Sequence, residues 1–356
     1  MHDCHPNFSW PIDSIWLGAP HQRVETVSAC WTLCNKTALC TAMVHNVYGA
    51  CYLLSHAIQS RLLRDDPVHR STACHLRKPH TWQSLVLFLE NPELKLGKLG
   101  RATGRVGRHA LGKVVAALPG RHLPFDVFLL NLQQSTDRLR RMRAELKRAS
   151  IGEGDYHRIP AILGTHLDMH ALHLSGFVAR GQHANSVGCA WSHFVVWAGI
   201  ARRAVESRSV LVLEDDAILK PGFVEKASAM LRRCESMQYD ICSITWYRHL
   251  TQPHCIRPLP SGNGAHGDVH GDAPAMVRLA CGHEGVNTGT AAYFLSLRGA
   301  RRMLDRVLPM RKNLDIQMGL ASMDLKWFAL KDERYAAAHD FGVKSVRVHG
   351  ERAFDH

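Results

Sequence analysis

Nowhere in the 356 residues is there an apolar run long enough to cross a bilayer. About 20 consecutive apolar residues are needed; Leu85–Leu89 and Phe194–Ala201 fall far short, so no membrane span is expected. The opening residues, Met-His-Asp-Cys, also lack the basic and apolar regions of a secretory leader. That leaves a cytosolic protein or a chain that starts after its targeting signal. No Cys-x2-Cys pair is present, which argues against the common zinc knuckles. Aromatics are only 7% of the chain, and none interrupts the basic stretches 95–121 and 138–148. Single-stranded nucleic acid is bound by stacking bases on aromatics beside the basic groups. Nucleic acid is therefore not an expected partner, despite a net charge of +13. The 24 histidines scatter without metal-ligand spacing and read as compositional.

What is abundant is cysteine at one end. Of 11 cysteines, Cys4, Cys30, Cys34, Cys40, Cys51 and Cys74 lie in the first 74 residues. Such density reads as a disulfide framework holding a small module together, and it favours an oxidising compartment. The secretory-pathway lumen (ER or Golgi) is the expected location on that ground. Cys30 and Cys34 are one turn apart in an expected helix, Val24–Asn35. Cys40 and Cys51 fall in two short apolar segments, Cys40–Val47 and Ala50–Leu54, separated by a turn at Tyr48-Gly49. This arrangement resembles a PAN/apple domain, a small α+β module. The resemblance implies the pairs Cys4–Cys74, Cys30–Cys51 and Cys34–Cys40, and a role in binding proteins or carbohydrates.

Three regions are expected: the module over 1–78, a basic Gly-rich linker over 79–124, and an α/β domain over 125–356. The linker carries one candidate helix at Ala110–Leu118. Beyond Pro124, strands and helices alternate. Phe125–Leu132 is continuously apolar, as suits a parallel strand covered on both faces. The next segment has Leu139, Met142, Leu146 and Ala149 at helical spacing, with its arginines on the solvated face. Further strands are expected at His157–Ala161, Ser209–Leu213, Tyr239–Trp246 and Thr290–Leu295, with helices at Ala190–Val205 and Leu297–Val307. The alternation predicts an α/β sheet with a nucleotide-type site at its carboxyl edge.

Glu214-Asp215-Asp216 ends the buried strand SVLVL. Three adjacent carboxylates there repel one another and lose hydration. A hard divalent cation, Mn2+ or Mg2+, would relieve this. A carboxylate cluster capping the turn at Pro221-Gly222 is the alternative.

Context decides between them. Asn131-Leu132 with Ser135, Asp137 and Arg138, then Gly188-Cys189-Ala190-Trp191-Ser192-His193, then VLVLEDD, resembles glycosyltransferase family 25. Arg158-Ile159-Pro160-Ala161, Trp197 and Asn287–Leu304 extend the similarity. The resemblance implies a GT-A (Rossmann-related) fold, a UDP-sugar donor (usually UDP-galactose), Mn2+ dependence and inversion. It implies a glycan or glycoprotein acceptor. By position it places Glu214, Asp215 and Asp216 at the metal and donor site, with Asp216 the first candidate ligand and Glu214 the second. Asn131 and Arg138 stand where the nucleotide docks. Ser192 and His193 are expected at a helix start over the donor, His193 as a base. Asp315 is the other candidate base, or a further metal contact. Cys189 reads as a small buried residue.

Two stretches depart from the family. Tyr335–Phe341 replaces its usual late motif, and Thr251–Gly285, rich in Gly, Pro and His, reads as a loop over the acceptor side. A carbohydrate- or protein-binding chain acting through the N-terminal module, catalytically inactive, is the alternative function.

Overall fold

The structure, a computed structural model, describes 109–116 and 122–339 apart from 175–176, 204–207, 247–249, 260–274, 282–288 and 333–334. Before residue 109 it describes Thr32 and the backbone of five short strands. The chain divides into two compact units, 1–108 with 166–182, and 109–165 with 183–356.

In the first unit, β1 (Asp3–Pro6), β2 (Gln22–Arg23), β3 (Ala42–His45), β4 (Ala50–Leu54) and β5 (Thr72–His75) form one sheet in the order β1-β5-β3-β4-β2. Every pairing is antiparallel, and β3 and β4 form the central hairpin. Cys4 and Cys74 are Cα partners across β1 and β5. Apart from Thr32, the helix expected over Val24–Asn35 lies outside the described residues, as do Cys30, Cys34, Cys40 and the disulfides that the resemblance implies for this region.

The second unit is built on eight strands. They are β6 (Asp126–Leu132), β7 (Tyr156–Ala161), β8 (Val210–Glu214), β10 (Ile241–Ser243), β11 (Ile256–Pro258), β12 (Met276–Leu279), β13 (Ala292–Leu295) and β14 (Trp327–Leu330). Their order is β11-β12-β14-β10-β13-β8-β6-β7. The parallel pairs are β6/β7, β6/β8 and β10/β14. Strand β13 enters antiparallel between β8 and β10, and β12 is antiparallel to β14 and β11. The sheet is therefore mixed rather than purely parallel, although all strands except β12 and β13 run in one direction. This mixed α/β architecture fits a Rossmann-like glycosyltransferase domain.

The register sorts the side chains. Val127 and Leu129 stand beside Leu211 and Leu213 on one face, where they pack with Leu139, Met142 and Leu146 of the helix Thr136–Arg148. The helix Phe223–Ser236 covers the same face through Phe223, Ala227, Met230 and Leu231. The helix Ala184–Ala201 is buried almost throughout, from Ser186 to Ala201, as expected of a helix enclosed on all sides. It packs on β7 and on the helices Leu297–Val307 and Leu314–Leu320.

That helix begins six residues before the expected Ala190, with His183 as its N-cap. Ser192 and His193 are therefore mid-helix, not at its start. The early turns (Ala184-Asn185-Ser186) carry little apolar signal, so the periodicity underestimates the helix. Within the expected linker, a helix spans 109–116 close to the one anticipated. Its Val114 lies so near Gly199 that a Cβ there would come within 2.4 Å. Part of the expected loop Thr251–Gly285 is strand. Strands β11 and β12 pair there as an edge hairpin, and the Cys255–Cys281 disulfide joins the chain just outside it. The segment Tyr335–Phe341 yields β15 (Ala337–His339), which pairs with β9 (Ala217–Leu219) immediately after the acidic triplet. His339 is the Cα partner of Ala217.

Candidate active site

Strands β6 and β8 run parallel with Leu130 opposite Glu214, so Asn131 and the acidic triplet meet at one edge of the sheet. Successive residues of a strand point to opposite faces, and this separates the three carboxylates. Glu214, the last residue of β8, faces the helix Ala184–Ala201, where its Oε1 lies 3.3 Å from His193 Nε2. Asp215 turns to the other face, toward the helix Thr136–Arg148. There Asn131 Nδ2 donates to its Oδ2 at 2.5 Å, and Arg138 Nη1 lies 3.1 Å from its Oδ1. The same guanidinium nitrogen is 3.7 Å from Asp216 Oδ2.

Asn131 is buried at 1% exposure, and its amide is fully engaged. Arg158 Nε and Nη2 donate to its Oδ1 at 3.0 and 2.7 Å, while its Nδ2 also reaches Ser135 O. It therefore acts as a bridge that holds Arg158 and Asp215 at the first strand–helix turn. Arg158 appears in the sequence only as part of the segment RIPA; its position 27 residues from Asn131 concealed the contact.

Asp215 is pushed up to about 6. Burial is the main cause, with Arg138 and Asn131 pulling it down and Asp216 and Glu214 pushing it up. Burial of this carboxyl thus outweighs the arginine and the amide that face it.

On the other face a chain of buried groups supports Glu214. Trp197 Nε1 donates to Tyr293 Oη at 2.7 Å, and Tyr293 Oη lies 2.8 Å from His193 Nδ1. Burial pushes His193 down, but Tyr293, the Cys189 thiol and Glu214 outweigh it and raise the imidazole well above its ordinary range. Burial raises the Tyr293 phenol, so its hydroxyl stays protonated. Tyr293 lies inside the segment Asn287–Leu304, and Trp197 follows the Ser-His pair. Their joint role comes from pairings about 100 residues apart in sequence.

Ser192 is occupied by the protein. Its Oγ donates to Gly188 O and accepts from Ile162 N, both at 2.8 Å. It ties the helix to the end of β7. Asp315 lies in the first turn of the helix Leu314–Leu320, where its Oδ1 accepts from Ile316 N at 2.9 Å. That helix packs against the one carrying His193. Glu214, Asp215, Asp216, Asn131, Arg138 and Arg158 thus gather at one sheet edge; Ser192 is held within the fold, and Asp315 lies on a separate helix, with no hydrogen bond or ion pair to the acidic triplet among the described residues.

The family description "Glycosyltransferase family 25 (LPS biosynthesis protein)" matches residues 125–318, which contain every candidate residue named above. The chain belongs to glycosyltransferase family 25. Among similar proteins of this family, "Procollagen galactosyltransferase 1" of Danio rerio is 24% identical over 90% of this chain and 45% of its own length. "Procollagen galactosyltransferase 1-B" of Xenopus laevis is 27% identical over 56% of this chain and 31% of its own. A "Glycosyltransferase 25 family member" of Drosophila pseudoobscura pseudoobscura is 23% identical over 50% of this chain and 26% of its own. The chain spans less than half the length of each of these relatives. Among the described residues, no helix is long and apolar enough to cross a membrane.

Proposed function

We propose that the chain transfers a hexose, galactose by analogy with the named relatives, from a UDP-sugar to a hydroxyl of a glycan or glycoprotein, with inversion at the anomeric carbon. The secretory-pathway lumen is the proposed location. The observation that carries this reading is the acidic edge itself: Asp215 and Asp216 share one arginine, and Asp215 is still raised to about 6. Two largely buried carboxylates behind a single guanidinium suit a divalent cation and the diphosphate it carries.

The donor set fits such an ion. Mg2+-like cations are held by one or two carboxylates with waters and substrate phosphates completing the shell. Asp216 is proposed as the direct ligand, with Glu214 second, for Mn2+ or Mg2+. When bound, the ion would stabilise charge building on the departing nucleoside diphosphate. Arg138, 17% exposed at its side chain, offers a guanidinium to the same phosphates. Asn131 positions Asp215 and Arg158 beneath the nucleotide. Glu214 is oriented by His193, whose two nitrogens are both engaged, so Asp315 is the proposed base for the acceptor hydroxyl.

The test is donor turnover with Mn2+ across a panel of UDP-sugars, comparing wild type with Asp216→Ala. Turnover by the wild type, with loss of about 100-fold or more in the variant, is expected, as for the removal of one preorganised electrostatic group. Wild type that turns over no donor with either metal would overturn the enzymatic reading. Full activity of Asp216→Ala would overturn only the metal assignment.

A further inference from the structure

The two faces of the acidic edge differ in chemistry. Asp215 and Asp216 offer only hard oxygen and already share an arginine. Glu214 instead faces a sulfur and an imidazole. Cys189, His193 and Glu214 each present one donor atom, and all three atoms lie within 4.8 Å of one another. Cys189 and His193 sit one turn apart on the helix Ala184–Ala201, so helix geometry places them on one side, and the end of β8 brings up the carboxylate.

From this juxtaposition we infer that Cys189, His193 and Glu214 form a binding site for a soft divalent cation, zinc, distinct in ligand chemistry from the Mn2+ or Mg2+ position. Thiolate and imidazole select zinc, whereas carboxylate and water suit magnesium and manganese. Three protein ligands with a fourth position left to water is the open arrangement of reactive zinc sites. The site is reachable, because Cys189 is partly exposed and the Glu214 side chain is 21% exposed.

The ring of His193 is already oriented for this role. Zinc-binding histidines hold their second nitrogen in a hydrogen bond that fixes the ring. Here Nδ1 is held by Tyr293 Oη, which Trp197 Nε1 anchors in turn, and Nε2 is directed toward Glu214. Binding releases the thiol proton as the Cys189–zinc bond forms and the Nε2 proton of His193 as the imidazole–zinc bond forms. It also takes Glu214 away from the donor cation. Resting on the proposed transferase reading, zinc therefore acts as an inhibitor competing with Mn2+. The other convergent group among the described residues, His254 with Cys255 and Cys281, is closed by the Cys255–Cys281 disulfide.

The experiment uses the full chain without reductant, titrated with Zn2+ against a chromophoric chelator and, separately, with Co2+. Wild type is expected to bind Zn2+ and to show a thiolate-to-cobalt charge-transfer band. Cys189→Ser should lose the band and weaken Zn2+ binding by about 100-fold, since losing even an orienting partner costs about 10–100-fold. A matching thermal melt checks that the variant is folded; if it is not, Cys189→Ala takes its place. A Co2+ complex without the band, or a folded variant that binds Zn2+ as tightly as wild type, overturns the site. Zn2+ should also inhibit Mn2+-dependent donor turnover of wild type, with the effect relieved by raising Mn2+. Binding with undiminished turnover overturns the inhibitory role. Absence of turnover with Mn2+ alone defeats the transferase reading, while the binding titrations still decide the zinc site.

Discussion

Replacing Asp215 by asparagine in the metal-free protein separates the cost of the acidic edge from its function. The folded-state value of this carboxyl is about 6, against an ordinary 3.8. The folded protein therefore holds the proton more tightly than the unfolded chain. The stabilisation this provides is fully present below pH 3.8 and is lost as pH rises through 6. Each tenfold difference in proton affinity corresponds to roughly 1.4 kcal/mol. Between the two values this amounts to about 3 kcal/mol, which the ionised wild type forgoes above neutrality. Asparagine carries no charge to desolvate and keeps an oxygen to accept from Asn131. The effect on Arg138 largely cancels in the comparison, because below pH 3.8 the wild type also presents a neutral group to that guanidinium. Relative to wild type, Asp215→Asn should thus be near neutral in acid and up to about 3 kcal/mol more stable at about pH 8. At about 2–4 °C per kcal/mol for a domain of this size, the midpoint should rise by up to about 6–12 °C. Thermal melts in chelator at both ends of the range provide the assay. A variant that shifts the midpoint equally at acid and alkaline pH would refute the reasoning, since burial of a charge would not then be the cause.

Three further outcomes follow from packing and hydrogen bonding. Tyr293→Phe should cost about 1–3 kcal/mol in urea denaturation, because Trp197 Nε1 loses its acceptor in a buried site; an unchanged midpoint would remove the hydroxyl from the support of Glu214. Gly188→Ala should cost about 1–3 kcal/mol through overpacking, since its Cβ would meet Gly164 N at 2.6 Å. Gly154→Ala, with nothing within 4 Å, is the matched control for the same melts. Asp240 is fully buried and binds Arg298, Arg302 and the Lys326 amide. Asp240→Asn should cost about 1–3 kcal/mol, less than the 3–5 of a fully enclosed pair, because both arginines remain nearly half in water.

How much of this was legible depends on whether the signal is local. Strands β6 and β8 were visible as continuous apolar runs, and the helix Leu297–Val307 matches its expected bounds, since Ser296 caps it and its apolar residues recur at helical spacing. The start of the helix Ala184–Ala201 was not, because small and polar residues fill its first turn. Strand pairing is non-local, so nothing in Ala292–Leu295 announces that it runs opposite to its neighbours. The same holds in the site. Arg138 was found beside its motif, whereas Arg158 on Asn131, and Tyr293 between His193 and Trp197, exist only once the sheet and helices are assembled.

The acidic triplet shows what an adjacent run of like residues can conceal. Read as a string it suggests three carboxylates around one ion. The period of a strand sends Glu214 and Asp215 to opposite faces, and each face answers its charge differently, with an imidazole for Glu214 and an arginine for Asp215. Asp216 lies just beyond the end of β8 and shares that arginine at the longer distance of 3.7 Å. Arg138 therefore meets the charge of Asp216 more weakly than that of Asp215. That ordering, rather than adjacency in sequence, supports the proposal that a metal goes first to Asp216, with Glu214 the proposed ligand that zinc on His193 and Cys189 would draw away.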